Sequence, residues 1–169
     1  KILIYPKTFI PNYGEFYEKR WFVSAEDWQG GEVTLCGQCV RAGADLLFQA
    51  SGAVFGVEVC EDLWSCIPPS SQAALQGAEI IFNLSASDSL AGKSRYLRSL
   101  VAQQSARGLC AYVYTSGGFG ESSTDLTFGG NALIYEDGAF LAEARRYSLE
   151  PQLIVSEVDV EALRTERRA

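Results

Sequence analysis

Three apolar runs, each the length of a strand, are joined by two stretches with helical character. The runs are "VFGVEV" (54–59), "EIIFNLSA" (79–86) and "CAYVYT" (110–115). Between the first two lies "PPSSQAALQGA", with prolines where a helix starts and Gly77 where it stops. Between the last two lies "SRYLRSLVAQQSARG", where Leu97, Leu100 and Val101 recur at helical spacing and Gly108 ends the pattern. Strands linked through helices run parallel and bury both faces. Two hairpins flank this unit: "DLLFQA" turns at Ser51-Gly52 into the first run, and "NALIYEDGAFLAEA" turns at "EDG". The expectation is an α/β (α+β) domain with a mixed sheet and helices on a face.

Elsewhere the pattern is weaker. Residues 1–6 and "LIVSEVDV" (153–160) read as further strands, the latter leading into a charged terminal helix. Residues 24–45 read as a polar, glycine-rich loop. The chain opens as a strand without a cap and stops in "EALRTERRA", which suggests a piece of a longer protein.

Composition narrows the chemistry. There is no histidine in the 169 residues, so neither a Ser-His-Asp triad nor a Cys-His pair can form within them. A metal site would have only cysteine and carboxylate ligands, and none is expected. The net charge of -7 argues against a nucleic-acid partner, and no run is long enough to cross a membrane. Five scattered cysteines do not form a secreted disulfide framework, which favours a reducing cytoplasm.

Two strand ends carry the residues of interest. Cys60 closes "VFGVEVC", where the backbone turns and a side chain can reach a cleft. A buried core cysteine is the plain alternative. A thiol there suits acyl transfer, with backbone N–H groups after it facing an oxyanion. Lys7 closes "KILIYPK" and is followed by the aromatic segment "TFIPNYGEFYEKRWF", which does not look like a solvated face. A surface lysine is the alternative. A lysine held in a pocket stabilises a thiolate or an oxyanion. Glu15 and Glu18 alternate with Phe16 and Tyr17, so at least one carboxylate is expected to face a cation. Cys36 and Cys39 have the spacing of a redox motif, but they sit in the polar loop and read as structural or incidental. "SGGFGESSTD" follows a strand without a helix behind it, so it reads as a tight loop near the cleft rather than a phosphate cradle.

A lysine at one strand end and a cysteine before "EDLW" at another resemble the nitrilase, or carbon–nitrogen hydrolase, superfamily, whose Glu-Lys-Cys triad uses no histidine. "KTFIPNYGEFYEKRWF", "FGVEVCEDLW", "GAEIIFNLSAS", "GKSRYLRSLVAQQSAR" and "AYVYTSGGFGESSTDLTFGG", in that order, resemble the glutaminase domains of glutamine-dependent NAD synthetases. The resemblance implies a nitrilase-like four-layer αββα sandwich, lacking its opening strands and helix. It implies Cys60 as nucleophile, Lys7 and the backbone N–H of Glu61 as oxyanion donors, and Glu15 as the acid that orients the lysine. Tyr13, Phe16, Glu18 and Trp64 match glutamine-pocket positions, with Ser87 and Lys93 near the charged end of the substrate. The family's general-base glutamate belongs to an earlier strand and is expected outside residues 1–169, so little turnover is expected of the chain alone. The implied activity is glutamine hydrolysis feeding ammonia to a synthetase domain of the parent chain, with homo-oligomers through the sandwich face. No cofactor is expected in this part; ATP, Mg and deamido-NAD belong to the synthetase domain. A free-standing amidase or carbamoyl hydrolase is the alternative, and a non-catalytic binding module is a third.

Overall fold

The computed structural model describes residues 2–28, 30–121 and 124–168. Its strands are β1 (Gly31–Leu35), β2 (Gln38–Ala42), β3 (Phe48–Ala50), β4 (Ala53–Val59), β5 (Ile80–Ser85), β6 (Ala111–Ser116), β7 (Ala132–Glu136) and β8 (Ala139–Glu143). The helices are α1 (Pro69–Leu75), α2 (Lys93–Gly108) and α3 (Val160–Glu166). Strands β3 to β8 form one sheet in sequence order. The β4–β5 and β5–β6 pairs are parallel and the rest antiparallel. This is the mixed sheet that the helix-linked runs require.

Both crossover helices pack on one face. Side chains alternate along a strand, so Gly56 and Glu58 of β4 face the helices while Phe55 and Val57 face away. The core between sheet and helices holds Ile81, Leu97, Val101, Tyr112, Tyr114 and Leu133, all nearly inaccessible to solvent. Gly56 is there because α1 comes close: a Cβ would stand 3.0 Å from the Ala73 Cβ and 3.2 Å from Ile81 Cδ1. Gly56→Ala is expected to lower stability by about 1–3 kcal/mol through overpacking, read as a lower denaturant midpoint at unchanged slope. On the opposite face Phe48 stacks on Phe55 at 5.3 Å, and Phe82 meets Phe55 edge-on at 5.4 Å. Among the described residues the fold is a helix-backed six-stranded mixed sheet with a separate two-stranded hairpin, β1–β2.

Three segments differ from the sequence reading. Residues 31–42 are a hairpin rather than a loop, paired from Gly31↔Ala42 to Leu35↔Gln38. Its turn, Cys36-Gly37, has φ of 49° and 73°, the left-handed pair that hairpin geometry favours. Of the strand expected over residues 1–6, the described residues 2–6 contribute a single parallel bridge, Ile4↔Ala42. Residues 153–159 join no ladder; their exposure still alternates, with Leu153 and Val155 exposed and Ile154 half-buried. A strand needs a neighbour to take its N–H and C=O groups, and among the described residues no strand lies beside this one.

Candidate active site

Strand β4 ends at Val59, and the chain turns at once into a 3-10 helix, Cys60–Trp64. Cys60 sits at the corner with φ of 50°, a left-handed conformation that a side chain adopts only at a cost of about 1–2 kcal/mol. The turn lifts its thiol out of the sheet, half-buried, and leaves the first N–H groups of the helix free of helical partners. Such strain persists only where the surroundings enforce it.

Asp62 is part of that enforcement. It has no accessible surface. One carboxylate oxygen accepts the N–H of Val59 at 2.8 Å and the other accepts the N–H of Phe9 at 2.8 Å. Burial pushes its carboxyl above the usual range, opposed by those backbone bonds and the charge of Lys7. Lys7 itself donates from Nζ to the Val59 carbonyl at 2.6 Å. The cation is therefore fixed one peptide from the thiol, although 52 positions separate the bonded pair.

Lys7 and Cys60 line a cavity of about 840 Å³ with Phe16, Glu18, Phe22, Val23, Ser85, Ser116 and Gly117. Its walls are mostly apolar, with hydroxyls on one side. Glu18 resolves the question of which acid points inward: its Oε2 is buried and accepts no hydrogen bond from another described residue. Glu15 is exposed, on a neighbouring groove with Thr124 and Asp125, so the expected orienting contact to Lys7 is not what the structure shows for it.

Of the remaining expected site residues, Phe16 lines the cavity and the others do not. Tyr13 is exposed, and its hydroxyl donates to the carboxylate of Glu61 at 2.7 Å. Partial burial and that carboxylate raise the Tyr13 pKa, so the phenol stays protonated. Phe16 meets Tyr13 edge-on at 5.8 Å. Trp64, Ser87 and Lys93 do not line the cavity. Lys93 pairs with Asp88, and its Nζ stands 5.1 Å from the Trp64 ring centroid. Ser87 is buried and donates its N–H to Ser116 Oγ at 3.1 Å. The glycine loop begins at the cavity wall, where Gly117 donates to the Ser85 carbonyl at 3.0 Å. Ser122 and Ser123 of "GESSTD" lie outside the described residues. Cys39 is exposed in β2 and donates to Glu32 at 3.3 Å, away from the cavity. Among the described residues no group of three or more Cys, Asp or Glu is placed to hold a metal, and no helix is long and apolar enough to cross a membrane.

A strained thiol, a fixed lysine and a buried carboxylate oxygen thus line one cavity. The family pattern described as Carbon-nitrogen hydrolase matches residues 1–168. The chain belongs to the carbon–nitrogen hydrolase family. This carbon–nitrogen hydrolase chain is 44% identical over 167 residues to the glutamine-dependent NAD(+) synthetase of Mycobacterium tuberculosis, covering 97% of the chain and 24% of that protein. It is 30% identical to a putative glutamine-dependent NAD(+) synthetase of Schizosaccharomyces pombe, over 98% of the chain and 25% of that protein. It thus spans about a quarter of these curated relatives. Among solved structures, a glutamine-dependent NAD(+) synthetase from Cytophaga hutchinsonii superposes with a TM-score of 0.75 at 29% identity, over 86% of this chain and 23% of that one. A carbon–nitrogen hydrolase from Helicobacter pylori G27 shares the fold, with a TM-score of 0.67 at 22% identity over 96% and 53%.

Three residues of this carbon–nitrogen hydrolase site were not singled out by sequence. Ser85 and Ser116 reach the cavity as small hydroxyls at strand ends, a position that composition does not mark. Asp88, buried beside Lys93, was readable only as an acid five positions before a base.

Proposed function

We propose that Cys60 carries the thioester in the hydrolysis of the side-chain amide of glutamine, with the chain acting as the glutaminase part of a parent protein and turning over little by itself. The observation that carries this reading is the Lys7 ammonium bonded to the carbonyl that precedes a strained, cavity-facing cysteine. The thiolate attacks the amide carbon. The oxyanion faces the Lys7 ammonium and the backbone N–H of Glu61. Ammonia leaves with a proton, and water then cleaves the thioester to glutamate and free thiol. The proton carrier is a glutamate that the family resemblance assigns to a strand ahead of Lys7, outside these residues. In this reading the ammonia passes to a synthetase region of the parent chain that amidates deamido-NAD, in keeping with relatives named glutamine-dependent NAD(+) synthetases. That region would bind ATP and Mg, and the reading asks for no cofactor here.

In this reading Glu18 takes the α-ammonium of glutamine, since a buried carboxylate oxygen without a partner calls for a cation. The resemblance also assigns Tyr13, Phe16 and Trp64 to the glutamine pocket and Ser87 and Lys93 to its charged end, although of these only Phe16 lines the cavity. Glu15 supports Lys7 only if the aromatic loop closes on substrate.

A single covalent event tests this without turnover. Glutamine is expected to protect Cys60 from alkylation by iodoacetamide, followed by the mass of the Cys60 peptide. Asparagine and propionamide are expected to protect far less. Equal protection by propionamide would instead favour a simple amidase. Glu18→Gln is expected to weaken protection by glutamine about 10- to 100-fold, the loss of one charged hydrogen bond, while alkylation without glutamine stays unchanged. A variant with undiminished protection would remove Glu18 from the substrate.

A further inference from the structure

The residues of the proposed site come from segments that share no strand or helix. Lys7 lies in irregular chain, and Cys60 lies on the turn after β4. Something must hold the two in register. On its outer side the lysine segment is tied to residues 24–25: Ala25 donates to the Lys7 carbonyl at 2.9 Å and Ser24 bonds the Thr8 carbonyl. On its inner side Phe9 donates its N–H to Asp62, at 2.8 Å. The other oxygen of the same carboxylate takes the N–H of Val59, whose carbonyl holds Lys7. Ser65 closes the turn, donating its hydroxyl to the Asp62 carbonyl at 2.8 Å. Both carboxylate oxygens accept, which is the bonding of an ionised acid.

We propose that Asp62 is a positioning residue for the nucleophile, a buried two-oxygen clamp that sets the Lys7 ammonium against Cys60 by joining the lysine segment to the strained turn. The proposal rests on the reading of Cys60 and Lys7 as the working pair. Asparagine fits the same space but carries an N–H₂ where one of the two backbone donors points, so one bond becomes a donor–donor contact. The lysine segment and the turn then share one fewer bond, and the Lys7 ammonium is held less firmly against the turn.

The test is a double-mutant comparison on the full chain. The rate of Cys60 alkylation by iodoacetamide at pH 7 is measured for wild type, Lys7→Met, Asp62→Asn and the double variant. Lys7→Met removes the cation that lines the same cavity as Cys60, and the loss of one charge near the reacting sulfur is expected to slow the reaction about tenfold. Asp62→Asn is expected to slow it to a similar rate, and the double variant no further. If Lys7→Met slows the reaction and Asp62→Asn does not, or if the two effects multiply, the clamp is overturned and the Lys7–Cys60 pair stands. An unchanged rate in Lys7→Met overturns the pair, and the clamp with it. A lower melting point of Asp62→Asn with an unchanged Cys60 rate marks a structural role only and also overturns the proposal. Should the variant not fold, hydrogen exchange in the wild type decides. The Phe9 amide lies in no ladder or helix, so Asp62 is expected to slow its exchange about a hundredfold or more. An unprotected Phe9 amide overturns the clamp.

Discussion

An electrophilic mimic of glutamine, such as a chloroketone carrying the amino-acid backbone, labels the chain once, on Cys60, and Cys60→Ala takes up none. Cys36, Cys39 and Cys66 are the more exposed thiols, so exposure alone would direct the reagent to them. Positioning reverses that order. A reagent seated in the cavity, with its ammonium on Glu18 and its carbonyl facing Lys7, reacts as an intramolecular partner. The advantage over the surface thiols is expected to be at least about a hundredfold. Peptide mass mapping reads it directly, and labelling spread over Cys36, Cys39 and Cys66 would sink the assignment of Cys60. The strained backbone adds a second readout. Alanine inherits the left-handed φ of Cys60, whereas glycine adopts it freely. Cys60→Gly is therefore expected to be as unreactive as Cys60→Ala yet more stable by about 1 kcal/mol, measured by denaturant unfolding. A nucleophile that costs stability is consistent with strain held for function.

Cys60 was legible because a turn after an apolar run is a local signal, whereas the strand expected before Lys7 is irregular chain with one bridge. Legible too was the parallel pairing of β4, β5 and β6, which follows from the two helix-linked connections. The pair of acids after Cys60 was readable only in part. Adjacent residues face different ways, and so Glu61 meets Tyr13 while Asp62 turns into the protein to accept Val59 and Phe9. Which partner each acid meets depends on a segment 48 to 53 residues upstream, and no local pattern carries that. The same limit explains Glu15 and Glu18. Their spacing says that they diverge, but only the packed loop shows Glu18 at the cavity and Glu15 outside. The hairpin β1–β2 was missed for a different reason. Both its faces are largely exposed, so it lacks the apolar alternation that marks a strand, and its turn uses Cys-Gly in place of the usual Asn-Gly.

Glu58→Ala is expected to be the most destabilising of these substitutions, and it touches none of the cavity residues. Glu58 is fully buried on the helix side of β4. Its carboxyl accepts the Ser70 N–H at 2.9 Å, the Tyr112 hydroxyl, and the Asn83 amide at 3.4 Å. Asn83 also donates to Tyr112 at 3.1 Å and accepts Ser85 at 2.6 Å, so the network ends on the cavity wall. Alanine would leave these donors unpaired around a cavity. At about 1–3 kcal/mol for each orphaned group, offset by partial relaxation, the loss is expected to be about 3–5 kcal/mol. That is a large share of a domain's usual 5–15 kcal/mol, and roughly 10 °C in melting temperature. Glu58→Gln is expected to lose far less and to change the pH dependence instead. Burial pushes the Glu58 carboxyl well up, with the Tyr112 and Ser70 bonds opposing. The folded chain therefore keeps a proton that the unfolded chain gives up above about pH 4.5. The stabilising contribution is complete below that pH and is lost as pH rises toward the folded-state value, by at most about 1.4 kcal/mol per pH unit. Asp62 shifts in the same direction and adds to the slope. Against wild type, Glu58→Gln should thus gain relative stability from pH 4.5 upward, and the difference should be flat below it. Unfolding free energies at pH 4, 6 and 8 decide the matter: parallel curves for the two proteins would mean that Glu58 is ionised in the fold, with its charge compensated by Tyr112, Ser70 and Asn83.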